Sequence, residues 1–338
     1  MALTGICLVL FVTFHVLMNS VALLWPAAYN QVCEFLGANW YALVASMGLA
    51  ALFIIHIIYA VWLTVQNRKA RGTDRYAING HVPGVEWSSK NMLVLGIVIV
   101  AFLVVHLIQF WAKMQLQELV SHELTALPEV DGAAAAPSLG TLFIQLAFES
   151  WWTPVVYIIG FVALWFHMNH GFWSMFHTIG WDNGIWLNRL KSIACWWTSI
   201  VVALFVAQAI LFTIQAHNKF FLKDPALVEQ YGEYWENRAA ALVDEYSSEI
   251  AKLNQTDPNE AAEFFAARGA YYADNAELIM QFAAKQAPGF YGEKLQTIPS
   301  FGQFVRTTTE RAQQMKATQS TPSEDLEAEE VESDNTNE

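Results

Sequence analysis

Four histidines, His15, His56, His106 and His167, stand one apiece near the middle of four apolar stretches, each long enough to cross a bilayer. A ring nitrogen in hydrocarbon is costly, so an ionisable side chain inside a membrane span points to function and needs a partner. Four of them suggest two pairs. Imidazole can ligate a metal or a haem iron, or pass protons, and the partner decides which.

Depth can be counted along each span at about 1.5 Å per helical residue. His15 lies 11 residues before Pro26 and His106 lies 7 before Lys113, whereas His56 follows Trp40 by 16 residues and His167 follows Trp152 by 15. The count pairs His15 with His106 at one level and His56 with His167 at a deeper one, roughly 10 Å away. Facing histidines on two helices of a bundle are a common way to build a cofactor site in its core. Two stacked b-type haems, each held by two histidines, fit this spacing and would carry electrons across the membrane. Proton relay and transition-metal transport use the same residue type. Both commonly add intramembrane carboxylates or several ligands close together, and these spans hold almost no Asp or Glu.

The elements that must position these residues follow from composition. The 338-residue chain is 55% hydrophobic and only 14% charged, with its apolar residues clustered, which marks a membrane protein. A spanning helix needs roughly 20 mostly apolar residues, and five segments qualify, about 3 to 25, 41 to 66, 91 to 112, 152 to 176 and 193 to 215. The first lacks the charged leader of a secretory signal and is read as a helix. The fold class expected is an all-α membrane bundle of five transmembrane helices with an extra helical, partly disordered tail. Residues 1–216 form the di-haem domain, 217–316 a helical extension and 317–338 an acidic disordered tail.

Net charge is −13, and residues 217–338 hold 22 acidic and 10 basic side chains against 9 and 8 in residues 1–216. The charge is therefore a property of the tail. Cys7, Cys33 and Cys195 are scattered without C-x-x-C or C-x-x-C-H spacing, which indicates no zinc site, covalently attached haem or disulfide framework. No dinucleotide fingerprint and no iron–sulfur cysteine cluster is present, so neither chemistry belongs to this chain.

Loop charges predict orientation. Residues 66–91 carry Arg68, Lys69, Arg71, Arg75 and Lys90, and the turn after the fourth span carries Arg189 and Lys191. The positive-inside rule places these loops, and the N-terminus, in the cytoplasm. The opposite loops carry Lys113 against Glu34, Glu118, Glu123, Glu129, Asp131 and Glu149, and Trp25, Trp40, Trp111, Trp151 and Trp152 fall at that boundary. Five spans then put the C-terminal tail outside. Residues 126–140, with the run Ala133 to Ala136 before Pro137, read as a flexible connection. Asp224-Pro225 and Asp257-Pro258 predict amphipathic helices over about 225–254 and 258–286, and the acidic, aromatic-poor end reads as disordered.

The segment Leu164-Trp-Phe-His167-Met-Asn-His170-Gly171-Phe-Trp173-Ser174-Met-Phe-His177-Thr-Ile-Gly180 closely resembles the fourth helix of the di-haem cytochrome b subunit of succinate:quinone oxidoreductases and quinol:fumarate reductases. The likeness extends through Phe14-His15, Ile55-His56-Ile-Ile-Tyr59-Ala-Val and Val105-His106-Leu-Ile-Gln-Phe-Trp111, over about residues 3 to 215. What the resemblance implies is a five-helix anchor in the bacterial cytoplasmic membrane that binds two haems b. It would dock a flavoprotein and an iron–sulfur subunit on its cytoplasmic face and pass electrons to or from a membrane quinone, commonly menaquinone. By position, His56 and His167 would ligate the haem nearer the iron–sulfur subunit, and His15 and His106 the outer one. A homodimer of the complex is a further expectation, and no nucleic-acid partner is expected. The chain departs from the family in beginning almost inside its first helix and in carrying the tail after about residue 217.

Such members carry a quinone site toward the outer side. Quinone chemistry moves protons with electrons, so an outer carboxylate is a candidate acid/base. Glu34 is preferred over Glu149, and a plain solvated acid is the alternative for both. His170, three residues from His167, is assigned a propionate or hydrogen-bonding role, and Arg189, Lys191, Arg68, Lys69 and Lys90 are candidate propionate partners or simply topology signals. His177 and His81 read as interface residues, and His122 and His217 as solvated ones. Ser88, Ser89 and Asn91 are expected to cap the third span. Gly48, Gly96, Gly160 and Gly171 are expected to allow close approach, by helix packing at least. Two alternatives stay open: a cytochrome b serving a hydrogenase or formate dehydrogenase, and a haem-free transporter or proton channel.

Overall fold

A computed structural model describes residues 1–37, 39–72, 86–120, 123–181, 183–253 and 258–319. His81, Arg75, His122, Asp257 and the acidic end from 320 onward lie outside them. The described residues form twelve α-helices and one two-residue hairpin, so the chain is all-α. It divides into two compact units, Met1–Leu227 and Val228–Glu338.

Five helices of the first unit are long and apolar enough to cross a membrane: α1 (Ala2–Leu24), α3 (Trp40–Arg71), α4 (Trp87–His106, continued by a π-helical turn Leu107–Trp111), α7 (Trp152–Thr178) and α8 (Trp186–His217). These are the five expected spans, and the chain is accordingly a multi-pass membrane protein whose apolar helix faces meet lipid. α3, α4 and α8 run farther toward the basic loops than hydropathy alone indicates. Those turns are polar yet keep their backbone bonds. Because α4 starts at Trp87, Ser88, Ser89 and Asn91 do not cap it. They lie in its first turns, Asn91 donates to the Trp87 carbonyl, and the N-cap residue Glu86 makes no side-chain cap bond.

At the other end of the bundle three elements stand where sequence indicates only loops. α2 (Pro26–Gly37) follows α1 directly, α5 (Gln115–Val120) follows the π turn, and α6 (Gly140–Phe148) precedes α7. The segment 126–140 is not a loose connection. Asp131 and Gly132 take positive φ of 55° and 76°, the pair of left-handed residues that closes a tight hairpin. β1 (Glu129–Val130) and β2 (Ala133–Ala134) flank that turn, and Ala133 to Ala136 are completely buried. The alanines are small because the site is crowded. α6 lacks a polar N-cap of its own; Asn30 of α2 supplies the acceptor, taking a bond from the Thr141 N–H at 2.9 Å.

Polar side chains join the spans where hydrophobic burial gives little preference between helix and lipid. Gln208 of α8 donates to the Val16 carbonyl and to Ser20 Oγ of α1, at 2.8 and 2.9 Å. Trp165 of α7 donates to Ser199 of α8 at 3.0 Å, and Gln145 of α6 to the Ala216 carbonyl at 2.8 Å. Gly160 of α7 packs directly against the Phe102 ring of α4, where a Cβ would overlap it. This is the helix-packing role expected of that glycine.

α9 (Phe220–Lys223) leads to α10 (Pro225–Lys252), whose first amides, Ala226 and Leu227, are capped by Asp224 as expected. With α11 (Pro258–Gln286) and α12 (Glu293–Gln319), α10 builds the second unit. α12 was not foreseen as an element, and it takes in residues 317–319 of the segment expected to be disordered. Its buried stripe, Leu295, Ile298, Gly302, Val305, Thr309 and Ala312, keeps the alternating three- and four-residue spacing of a coiled-coil seam.

Candidate cofactor-binding histidine pairs

Each of the four helices that carry a histidine is apolar around it, so its backbone bonds close internally and the imidazole is the main polar feature at its depth. The bundle brings His15 of α1 to His106 of α4, with ring centroids 5.8 Å apart and planes at 81°. It brings His56 of α3 to His167 of α7 at 6.3 Å and 64°. These are the two pairs that depth counting proposes. Gly96 of α4 lies beside His167, with a hypothetical Cβ 3.9 Å from its Cε1, and Tyr157 of α7 bonds to His106. Ten residues separate Gly96 from His106 and Tyr157 from His167, which sets the levels roughly 15 Å apart along either helix. The spacing is about one turn greater than expected.

The donor sets can be tested against a haem. Metal–imidazole bonds of about 2.0–2.1 Å on either side of one ion, with the rings' own half-widths added, put axial imidazole centroids roughly 6 Å apart. Both pairs have that separation. His56 Nδ1 lies 3.0 Å from Thr4 Oγ1, and that hydroxyl donates to the Met1 carbonyl. The Thr4 oxygen is left to accept from Nδ1–H, which frees Nε2 as a ligand. His106 repeats the arrangement: Tyr157 donates to Gln109 Oε1 at 2.9 Å and so accepts from His106 Nδ1–H at 3.1 Å. Partners of this kind fix the tautomer and orientation of metal-ligating histidines. His167 Nδ1 is buried without a hydrogen-bond partner, while the Met92 backbone bonds to the same ring, so ligation through this ring competes with that bond. His15 differs, because the Asn19 amide contacts its Nε2 at 3.3 Å; ligation through that nitrogen displaces Asn19. The donors fit two two-histidine haem sites. Gly48 and Gly171 have open space where a Cβ would stand, so neither makes the close helix contact expected of it.

Sequence reasoning did not single out the rings around the first pair. His15, Phe205, Phe161, Phe102 and His106 form a closed circuit of neighbours, with centroids 5.2 to 6.1 Å apart. Tyr157 contacts both Phe102 and His106. A tyrosine in an otherwise apolar span was the legible signal, since its hydroxyl must find a partner there.

Toward the basic loops, His170 Nδ1 lies 3.2 Å from Glu86, and Lys191 pairs with the other oxygen of that carboxylate at 3.3 Å while covering the Trp173 ring. Although partial burial opposes it, bonding to His170 and Lys191 lowers the Glu86 carboxyl below its usual range. The structure thus gives His170 an acidic partner. Arg189 is exposed and stacks over Trp186, and His177 and His217 are exposed. Glu34 is exposed on α2. Burial raises the carboxyl of Glu118, which packs against Gly37, and pushes the Cys33 thiol up to about 12.

Glu149 is committed elsewhere. The Lys219 ammonium donates to it at 2.6 Å and holds its carboxyl below the usual range. That contribution is fully present above the ordinary value of 4.5 and is lost as pH falls through the depressed one. Both side chains are a third or more exposed, so the pair is worth under about 1 kcal/mol. Lys219→Met is expected to return the Glu149 titration toward its ordinary value, read from the carboxylate infrared band, with little loss of stability at neutral pH.

The fold and site define a class: a five-span, all-α membrane protein with two half-buried histidine pairs at two depths. Compared with protein-family models, curated proteins and solved structures, the chain has no match.

Proposed function

We propose that this chain is the cytochrome b membrane anchor of a succinate dehydrogenase or fumarate reductase, passing electrons between a cytoplasmic iron–sulfur subunit and a membrane quinone through two haems b. The observation that carries this reading is the meeting of His15 with His106 and of His56 with His167 at axial-ligand separation. The basic connections beside α3, α4 and α8 favour a bacterial cytoplasmic membrane with those loops inside, where the flavoprotein and iron–sulfur subunits would dock. The N-terminus then lies inside and the tail outside. The likeness of the Leu164–Gly180 segment to the fourth helix of these anchors supports the same partners and menaquinone as the quinone.

When bound, haem iron supplies a one-electron couple whose potential follows its axial ligands and their surroundings. The residues present do the rest. His56 and His106 offer Nε2 because Thr4 and Tyr157 occupy Nδ1. The closed aromatic circuit lines the first pair with apolar rings. At the quinone, two electrons and two protons are taken up together to give the quinol, or released in reverse. Protons would exchange from the outer end, where Glu34 and the half-buried Glu118 are candidate carboxylates.

The test is a reduced-minus-oxidised optical spectrum of the purified complex, with haem quantified per chain. Two b-type haems per chain are expected, together with co-purifying flavoprotein and iron–sulfur subunits. A chain purified with its subunits but without b-type bands defeats the reading.

A further inference from the structure

Immediately after His106 the helix changes its hydrogen-bonding pattern to the π turn Leu107–Trp111. Such turns are uncommon and recur at functional sites, because the extra residue re-aims side chains on either side. Here the turn contains Gln109, which faces two ways. Its amide accepts from Tyr157 and donates to Thr153 Oγ1 at 3.1 Å. It also lines a cavity of about 370 Å³ between α4, α6 and α7, whose wall includes Ile108, Lys113, Ala147, Ser150 and Trp152. The wall is mostly apolar, with an amide, an ammonium and a hydroxyl as its polar points. This pattern suits a planar apolar molecule carrying carbonyl acceptors.

We propose that Gln109 is a positioning residue that couples occupancy of this cavity to His106, which would ligate the outer haem. The proposal rests on the functional reading above, which supplies a quinone as the occupant. The path is short and made of named bonds: cavity, Gln109 amide, Tyr157 hydroxyl, His106 Nδ1–H. A quinone carbonyl in the cavity competes with Thr153 for the Gln109 N–H. That exchange repolarises the amide whose other end holds Tyr157, and hydrogen-bonded chains pass such changes along their length. The strength of the bond at Nδ1 tunes the basicity of a ligating histidine. His106, and through it a bound outer haem, would therefore respond to quinone binding without contact between the quinone and His106.

The probe is 2,3-dimethyl-1,4-naphthoquinone, titrated into the detergent-solubilised complex while the outer-haem band, the one lost in His106→Ala, is followed. A saturable band shift is expected in the native protein. Gln109→Leu should keep both haems, abolish the shift and weaken naphthoquinone binding by about 3- to 10-fold, as for loss of one neutral hydrogen bond. Ala147→Phe fills the cavity and leaves the bond chain intact, so it should abolish binding while the band without naphthoquinone stays native. Retained haem content certifies that either variant has folded. A shift that persists in Gln109→Leu, or binding undiminished in Ala147→Phe, overturns the proposal while leaving the di-haem reading standing. Absence of b-type haem from the native complex overturns that reading, and the coupling with it.

Discussion

His56→Ala and His167→Ala are each expected to yield a complex that has lost the same haem, and His15→Ala and His106→Ala a complex that has lost the other. Each variant should hold one haem per chain instead of two, and a redox titration should retain one wave, identical within each pair of variants. The reason is geometric. An alanine would remove one of the two donors proposed for each haem; the surviving imidazole lies roughly 15 Å from the other pair, and His170, one turn from His167, is engaged by Glu86. Residual binding through one ligand would appear as a spectral change toward a five-coordinate form in the same haem. Loss of a common haem from His56→Ala and His106→Ala would overturn the pairing. Asn19 marks where the two sites differ, because it occupies His15 Nε2 through the amide one helical turn along.

The pairing was legible because a spanning helix has little freedom. Its rise is fixed, its ends are marked by tryptophans and charges, and a polar residue in its middle stands out. Depth therefore followed from counting residues. The partners that hold the imidazoles were not legible. Thr4 lies 52 residues from His56, and Tyr157 lies 51 from His106, so each depends on which helices become neighbours. α2 and α6 were read as loop because they are short and lie in a stretch punctuated by proline, glycine and alanine. What makes them helical is tertiary: Asn30 reaches from one to cap the other. The cavity is a product of the same packing, its wall drawn from α4, α6 and α7, and no run of sequence contains it. Glu34, chosen as the acid of the outer loop, is exposed, whereas Glu118, read only as a loop charge, is the half-buried one.

The tail hid its third helix for a related reason. The seam of α12 is filled at three positions by Gly302, Thr309 and Ala312, which give almost no apolar periodicity, and Pro299 stands inside it. The small residues are there because α11 is close: a Cβ on Gly302 would stand 3.0 Å from the Ala276 Cβ. Binary patterning assumes that a buried position is a large apolar one. Close helix pairs break that assumption.

The second unit has a centre that a single substitution should expose. Trp235 of α10 is completely buried, packs on Phe282 of α11 with centroids 5.5 Å apart, and donates its indole N–H to Gln286 Oε1 at 2.7 Å. Its neighbour Glu236 reaches α12 and accepts from the Lys294 and Leu295 amides at 2.7 and 2.9 Å, capping that helix from outside. Trp235→Ala is expected to cost the unit about 3–5 kcal/mol, the range for emptying an aromatic site in a core. Since each 1.4 kcal/mol is about tenfold, opening of the unit should rise by roughly two to four orders of magnitude. Hydrogen exchange of the full-length protein in detergent reads this directly, as lost protection of backbone amides. The loss should extend over α11 and α12 as well as α10, because the indole and the carboxylate beside it tie all three together. Trp235→Phe keeps most of the ring volume and gives up the N–H bond, so it should cost nearer 1 kcal/mol. Protection lost from α10 alone would mean that α11 and α12 hold together without the indole, and would sink the idea of one cooperative three-helix unit.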